Sequence, residues 1–338
     1  MPNVAAFWAD PAWLADAHAW VEEQVAACGF TLTGPIEQPH LRWWSTVLRV
    51  PTDGGALWMK ASQPMYAFET RVTPFLARHW PDLTVEVLAT DPDRAWMLSR
   101  DAGTRLREAA DRPPVDHWAD LLPRYAELQI GAGEHGRQLA SLGEPDRGLA
   151  RLAHDLRATV DEPETLMLGD PRGLGAEELE ALRGRLDAFD ADCRRLAEIG
   201  ISETLQHDDL HDGNAFVRGD GYVVFDWGDS CISHPFHTLA VTLRALAYSH
   251  KLEPGGPEIQ RLLAAYLEPW QRVAPAAALR EAADIARRTG TIGRAMAYRG
   301  WIGQMPPDVA DEERDSIPYG LRVFLADGPW GSWDDGSF

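Results

Sequence analysis

The polar side chains best suited to catalysis or metal binding lie between positions 207 and 214, in the run His-Asp-Asp-Leu-His-Asp-Gly-Asn. A further aspartate, Asp226, directly follows the apolar run 222–225. Carboxylates and imidazoles at this density are costly to bury without partners. We therefore expect this segment either to be solvated or to be arranged around a cation.

Transfer of a phosphoryl group gives a physical reason for this spacing. The transferred group spreads negative charge over its oxygens, so catalysis depends mainly on positioning and charge stabilisation. One carboxylate must take the proton of the attacking hydroxyl, and hard oxygen ligands must hold Mg2+ against the nucleotide phosphates. We interpret Asp209 as the catalytic base, and Asn214 and Asp226 as the amide and carboxylate ligands of the metal.

The motif His-x-Asp-Leu-His-x-x-Asn at 207–214, followed by Phe-Asp-Trp at 225–227, closely resembles the catalytic and metal motifs of the aminoglycoside phosphotransferase/choline kinase family. The resemblance covers most of the chain, from about Leu41 to Ile302. It implies a protein-kinase-like fold, an ATP- and Mg2+-dependent small-molecule kinase, and the roles just given to the base and its two partners. The sequence departs from the family pattern at Asp208, which replaces the usual glycine, and the protein-kinase Asp-Phe-Gly motif reads Asp-Trp-Gly here.

Lys60 lies near the end of a predicted strand, and the chain has only one other lysine, Lys251. It is either an ordinary surface lysine or a functional one. The resemblance implies that Lys60 binds the nucleotide phosphates and pairs with Glu69, although this separation is shorter than in protein kinases. No glycine-rich loop precedes Lys60, and Ser45, in the run Trp-Ser-Thr at 44–46, is predicted to cover the phosphates instead.

The stretch 86–103 resembles the family's passage from the small lobe to the hinge. Met97, Leu98 and Ser99, together with Trp96, are then predicted to lie beside adenine. Trp96 and Met97 are explained equally well as core residues of the lobe.

Three further residues are predicted to support the catalytic loop. His207 is expected to orient it through backbone hydrogen bonds, whereas His211 either lies near the phosphates or packs within the loop. Asp229 either braces the metal loop or, as the slightly favoured role, caps the helix that begins near 234–235. Alternatively, the two histidines bind zinc from one helix face in a metal-dependent hydrolase. Gly213 argues against a helix there, and no third zinc-type ligand motif is present.

A Gly-x-Gly-x-x-Gly pattern occurs at 131–136, but it follows a helical stretch rather than a strand. We therefore interpret it as a helix break or packing site and not as a dinucleotide fingerprint. The sequence contains no Gly-x-x-x-x-Gly-Lys-Ser/Thr loop, which argues against a P-loop kinase.

Hydrophobic periodicity and turn residues predict the elements that must position these side chains. The first part of the chain mixes helices and strands: helix 13–27, strands 45–50 and 56–61 around the turn 53–55, helix 66–78, and strands 84–89 and 95–99. The second part is mainly helical around one short strand: strand 222–225 and helical segments 118–128, 177–199, 237–249, 257–266 and 276–302.

We therefore predict an α+β, two-lobed protein-kinase-like fold. Residues 1–103 form a small β-rich, nucleotide-binding lobe with a leading helix. Residues 104–338 form a larger, mainly helical lobe with the catalytic and metal loops and the acceptor site. Five residues are candidates to line the acceptor site, each explained equally well by a place at the surface or in the core: Asp161, Glu162, Trp270, Tyr298 and Trp301. The tail 328–338 either frays or docks its tryptophans Trp330 and Trp333.

The chain carries a formal net charge of −20 and has a pI of about 4.9. A negative field repels nucleic acid and anionic membranes and favours a cationic acceptor, although an acidic surface also serves solubility alone. The three cysteines are scattered, which indicates reduced thiols and a cytoplasmic location. Neither a signal peptide nor an apolar run of the about 18 residues that a membrane span needs is visible.

Three functions remain open at this point. The retained residues favour ATP-dependent transfer of the γ-phosphate to a hydroxyl of a small molecule such as an aminoglycoside, amino sugar, amino alcohol or related metabolite. The second is a catalytically silent nucleotide-binding module of kinase-like fold. The third is the metal-dependent hydrolase.

Overall fold

The structure, a computed structural model, describes residues 6–326. The tail 328–338, with the two tryptophans considered above, lies outside the described residues. The chain divides into two compact units. The first comprises the described residues up to Arg105 together with Ala215–Gly228, and the second comprises Leu106–Asn214 together with the described residues from Asp229 onward.

Ten strands and eleven α-helices make up the described chain. The strands are β1 (Glu37–Leu41), β2 (Ser45–Thr52), β3 (Gly55–Ser62), β4 (Val87–Asp91), β5 (Trp96–Arg100), β6 (Thr104–Arg105), β7 (Thr204–Gln206), β8 (Ala215–Arg218), β9 (Gly221–Val224) and β10 (Cys231–Ser233). The helices are α1 (Pro11–Ala27), α2 (Glu69–His79), α3 (Pro114–Ala132), α4 (Gly136–Leu142), α5 (Leu149–Thr159), α6 (Ala176–Ile199), α7 (Thr238–His250), α8 (Pro257–Leu267), α9 (Ala276–Ile302), α10 (Pro307–Glu313) and α11 (Ser316–Leu325).

The first unit is built on a five-stranded antiparallel sheet in the order β1-β2-β3-β5-β4. Side chains alternate between the faces of a strand, so each strand offers one row to each side. One row, which includes Met59 and Leu98, packs in a core with Trp20 and Val21 of α1. Helix α1 begins behind Asp10, whose carboxylate accepts hydrogen bonds from two N–H groups of the first turn. The other face of the sheet carries Lys60.

The predicted hairpin is confirmed. Strands β2 and β3 pair along their whole length, and Thr52 stands opposite Gly55, so the turn consists of Asp53 and Gly54. Gly55 has a φ of +98°, which favours glycine. Strand β1 was not predicted, because it contains Pro39 and no alternating apolar pattern.

A three-stranded sheet, β6-β8-β9, completes the first unit. Gly103 leads into it with a φ of +103°, and a Cβ atom there would lie 2.2 Å from the carbonyl oxygen of Val217. The division predicted at residue 103 assigned 215–228 to the second lobe. The structure instead groups this segment with the first unit, because β8 pairs with β6 and the N–H of Val224 donates to the carbonyl of Leu83.

The second unit is mainly helical, as predicted. The predicted helices 177–199, 237–249, 257–266 and 276–302 correspond to α6, α7, α8 and α9. The glycine pattern at 131–136 breaks the chain between α3 and α4 through a short 3-10 helix, Gly133–His135, which confirms it as a helix break. The short strands β7 and β10 pair with each other and were not predicted.

Candidate functional site

The first unit holds a buried ion pair between Lys60 and Glu69. The Lys60 Nζ atom, on β3, donates to both carboxylate oxygens of Glu69 at 2.7 Å. Both side chains are almost fully buried. Glu69 is the first residue of α2, where the helix dipole favours a carboxylate, and its Oε1 also accepts from the N–H of Trp227 at 3.1 Å. The structure thus brings together the two residues that the family resemblance predicts to pair.

Asp226 joins this ion pair from the segment behind β9. Its Oδ1 lies 2.5 Å from Lys60 Nζ, and its side chain is 38% exposed. Its φ of +66° turns the chain out of the strand direction. Burial opposes the charge of the ammonium, but the Asp226 and Glu69 carboxylates outweigh it and raise the pKa of Lys60. Burial, partly offset by Lys60, raises the pKa of Glu69 to about 7.

Residues in register across the sheet share the face of Lys60. Lys60 pairs with Val47 on one side and Met97 on the other, and Val47 in turn pairs with His40. Directly opposite residues of an antiparallel pair point to the same face. Met97 is therefore on the same face as Lys60, and it is buried, as the alternative place in the core of the lobe requires.

The other predicted nucleotide residues differ from one another in their placement. Ser99, two residues after Met97 on β5, is on the Lys60 face. The side chain of Leu98 packs in the core with α1, which corrects its predicted contact with adenine. Ser45 is buried at the start of β2, whereas its neighbour Trp44 in the preceding turn is exposed.

Further cations and rings surround Lys60 in the first unit, and the sequence analysis missed them. Lys60 Nζ lies 5.5 Å from the centre of the Phe225 ring, which contacts Phe216 at 6.3 Å, and Arg105 lies 6.0 Å from Phe216. Burial, followed by the charge of Arg42, lowers the pKa of the His40 imidazole. Phe225 belongs to the Phe-Asp-Trp motif, but no motif marks the others, since register and sheet pairing alone bring them together.

In the second unit, Asp209 and Asn214 contact each other. The Asn214 Nδ2 atom donates to the carbonyl oxygen of Asp209 at 3.0 Å and to its Oδ2 at 3.1 Å. The N–H of Asn214 also donates to the carbonyl of His211 at 2.9 Å. The amide nitrogen is therefore directed at the carboxylate, and the amide oxygen, a hard ligand suited to Mg2+, lies on the opposite branch.

The two histidines of the motif stabilise the loop. His207 is fully buried, and its Nδ1 accepts from the N–H of Asp209 at 3.3 Å, so it orients the loop as predicted. His211 Nδ1 accepts from the N–H of Gly213 at 2.9 Å, and its Nε2 lies 3.5 Å from Asp209 Oδ2. Segment 207–214 is not helical, and within residues 6–326 no group of three or more His, Cys, Asp or Glu side chains is arranged to hold a metal ion.

The charges around Asp209 act on its ionisation. Burial favours the neutral acid, but the hydrogen bond from His211 and the charge of Arg294 outweigh it and hold the pKa of Asp209 below its ordinary value. Burial acts against the imidazolium as well, but Asp209 outweighs it and raises the pKa of His211. The pair therefore favours a carboxylate beside an imidazolium.

The surroundings of Asp208 show how an aspartate is accommodated where the family usually has glycine. The φ of Asp208 is +59°, a conformation that glycine adopts freely and that aspartate tolerates better than most residues. The carboxylate is buried, and Arg147 donates to its Oδ2 at 2.8 Å. An ion pair thus accompanies the less favourable backbone conformation at this position.

Asp229 has a different role from the one favoured by its sequence position. The prediction that it caps a helix near 234–235 is wrong, since His234 caps the short 3-10 helix Pro235–His237. Asp229 instead closes the 3-10 helix Trp227–Asp229, and its Oδ2 lies 3.2 Å from Arg294 of α9.

The acceptor candidates fall into three groups. Tyr298 and Trp301 lie beside Arg294, at 5.5 and 5.7 Å from their ring centres. Trp270 packs in the core against Phe236. The other two lie in surface ion pairs: Asp161 with Arg183, and Glu162 with Arg299.

Comparison with known proteins gives a family match and a fold. The sequence profile of the family described as "Phosphotransferase enzyme family" matches residues 40–276. No protein of curated function matches significantly. Among the described residues, no helix is long and apolar enough to cross a bilayer.

Three solved structures illustrate the likeness of fold. The gentamicin–APH(2")-IIa complex has a TM-score of 0.58 at 13% identity, over 94% of this chain and 97% of that chain. Macrolide 2'-phosphotransferase type I has a TM-score of 0.56 at 14% identity, over 94% and 98%. A choline/ethanolamine kinase family protein from Mesorhizobium loti has a TM-score of 0.56 at 15% identity, over 88% and 90%. At these identities the likeness concerns the fold, and the predicted two-lobed protein-kinase-like α+β fold is confirmed.

Proposed function

Since this chain belongs to the phosphotransferase enzyme family, we propose that it transfers the γ-phosphate of ATP to a hydroxyl group of a small molecule. The observation that carries the proposal is that Lys60 forms ion pairs with both Glu69 and Asp226, at 2.7 and 2.5 Å. A cation on a strand, fixed by a helix glutamate and next to a carboxylate, is the arrangement with which protein kinases bind the nucleotide phosphates.

Asp209 is the proposed base. The acceptor oxygen forms a bond to the γ-phosphorus while the bond from that phosphorus to the bridging oxygen of ADP breaks, and the hydroxyl proton passes to Asp209. His211 and Arg294 favour the ionised carboxylate, so that it orients the hydroxyl by accepting its hydrogen bond. Asn214 and His211 hold the Oδ2 side of the carboxylate, which fixes its direction.

Asn214 and Asp226 are the proposed ligands of Mg2+. The amide oxygen and the carboxylate are hard donors, as this ion prefers. In the chain, Asn214 directly precedes β8, and Asp226 lies two residues after the end of β9. Two carboxylates, Glu69 and Asp226, share the single ammonium of Lys60, which leaves negative charge for a cation. When bound, the ion neutralises charge on the phosphates.

The acceptor is proposed to be an aminoglycoside, an amino sugar, an amino alcohol or a related metabolite. The names of similar structures, which mention gentamicin, macrolides, choline and ethanolamine, support this range. The net charge of −20 favours a cationic acceptor, but the carboxylates next to Asp209 are paired locally: Asp208 with Arg147, Asp212 with Arg107, and Asp229 with Arg294. The acceptor panel therefore compares cationic with neutral acceptors.

The test is a panel of hydroxyl acceptors with ATP radiolabelled at the γ-phosphate and Mg2+. The panel contains aminoglycosides, macrolides, amino sugars, amino alcohols and neutral polyols. We expect one class to accept label, and Asp209→Asn to slow the transfer by at least about 100-fold. A Mg2+-dependent thermal shift by ATP without label transfer to any acceptor would favour the silent nucleotide-binding module instead.

A further inference from the structure

We propose that Arg294 is a positioning residue, which holds Asp209 and the segment at Asp229 in the arrangement that phosphoryl transfer needs. The inference rests on the proposed role of Asp209 as the base. The two terminal nitrogens of the guanidinium serve different partners. One lies 3.2 Å from Asp229 Oδ2 and 3.5 Å from the carbonyl oxygen of Asp208, and the other lies 3.7 Å from Asp209 Oδ1.

Two aromatic rings support the guanidinium from its own helix. Tyr298 and Trp301 follow Arg294 by four and seven residues on α9, so the three side chains share one face. The ring distances of 5.5 and 5.7 Å fall within the range of cation–π attraction. Trp301 also contacts Arg147 at 5.2 Å, and Arg147 in turn pairs with Asp208. The Arg294 guanidinium is therefore supported by aromatic rings and attracted by carboxylates.

The two oxygens of Asp209 have different surroundings. Oδ2 accepts from Asn214 at 3.1 Å and lies 3.5 Å from His211. Oδ1 faces Arg294 at 3.7 Å, which is beyond hydrogen-bond length, and has no hydrogen bond within residues 6–326. Arg294 thus orients the carboxylate by charge without occupying Oδ1. We infer that Oδ1 is the oxygen that receives the acceptor proton.

Lysine cannot reproduce this arrangement, because its single nitrogen cannot reach both carboxylates with the fixed geometry of a guanidinium. The variants are therefore Arg294→Lys, Arg294→Met and Arg294→Ala. The matched control is Arg288→Met, on the same helix, where the arginine pairs with Asp192 at the surface. Thermal melting of each variant verifies folding.

Two readouts test the proposal. The first is label transfer from ATP to the best acceptor of the panel, or to water, measured as kcat and as KM for MgATP. A misplacement of about 1 Å costs roughly 100-fold in rate, so we expect this loss in kcat for Arg294→Met and Arg294→Lys, with a KM within about threefold. Guanidinium ion below unfolding concentrations should restore part of the activity to Arg294→Ala.

The second readout is hydrogen exchange of the amides in 208–212 and 229–231 in the free protein, which should accelerate in Arg294→Met and not in Arg288→Met. An unchanged kcat or an unchanged exchange rate in Arg294→Met would overturn the proposal, and so would an equal effect of Arg288→Met. A wild-type protein that transfers no label would refute the proposed function, and the exchange measurement would then decide the positioning role separately.

Discussion

At the scale of single residues, motif spacing predicted the pairs that lie close in sequence or within a shared family pattern. Lys60 contacts Glu69, as expected, and Asp209 contacts Asn214, which lies in the same predicted motif. Arg294 and Arg147 could not be predicted, because Arg294 lies 86 residues from Asp208 in the chain and no local signal marks an arginine on a long helix. His40 is similar, since only strand register brings it to the face of Lys60.

Substitutions of Lys60 and Glu69 together separate the role of this pair in stability from its role in activity. Lys60→Met leaves the buried Glu69 carboxylate without its cation, and removing one partner of a buried pair costs about 3–5 kcal/mol. We expect a lower free energy of unfolding in urea and loss of label transfer. The double variant Lys60→Met/Glu69→Gln should recover part of the stability but none of the transfer. Label transfer by either variant would contradict the role of Lys60.

Asp208 tests the ion pair at a positive φ. We expect Asp208→Asn to be less destabilising than Asp208→Ala, because asparagine tolerates the left-handed conformation, at which alanine loses about 1–2 kcal/mol. Both variants leave Arg147 without its partner carboxylate, and the asparagine oxygen can still accept a hydrogen bond from Arg147, which adds to the difference in the same direction. Urea unfolding of the two variants measures it. Equal losses would show that the backbone conformation relaxes on substitution.

At the scale of elements, long amphipathic helices and the Asp53–Gly54 turn were predictable from periodicity and turn residues. The predicted bounds 276–302 match α9. Strand β4 begins at Val87 rather than at position 84, since Thr84 forms a parallel bridge to Val224 instead. Such pairing is a tertiary property that no local pattern encodes. The same holds for β8, whose partner strand β6 lies more than a hundred residues earlier.

Gly103→Ala tests the junction between β6 and β8. The added Cβ would approach the Val217 carbonyl to 2.2 Å at a φ of +103°, so we expect a loss of at least about 2 kcal/mol in unfolding free energy. The control is Gly300→Ala in α9, where a Cβ meets nothing within 4 Å. That variant should gain about 1 kcal/mol from helix propensity. A neutral Gly103→Ala would contradict the close approach.

At the scale of the whole molecule, the −20 net charge and the buried histidines shape the response to pH. Burial lowers the pKa of His237 to about 3 and that of His234 well below its ordinary value. Between pH 3 and the ordinary value of 6.5, the unfolded chain binds protons that the native His237 does not. Stability is therefore present above about pH 6.5 and is lost as pH falls.

Each proton that only the unfolded chain binds lowers the free energy of unfolding by about 1.4 kcal/mol for every pH unit below the ordinary histidine pKa. We expect His237→Gln, which also loses contacts with Ser233 and Thr289, to be less stable at pH 7 but to show a shallower loss between pH 6 and 5. An unchanged slope in His237→Gln would mean that the native imidazole is protonated.

The central claim is that Asp209 takes the acceptor proton while Lys60, Asn214 and Asp226 hold the nucleotide and its metal. The most direct measurement is single-turnover label transfer from ATP in wild type and Asp209→Asn, with MgATP affinity measured calorimetrically on the same samples. We predict an affinity within about threefold of wild type, because the variant keeps the proposed ligands of the nucleotide, and a transfer rate lower by at least about 100-fold. Transfer at the wild-type rate by Asp209→Asn would contradict the account.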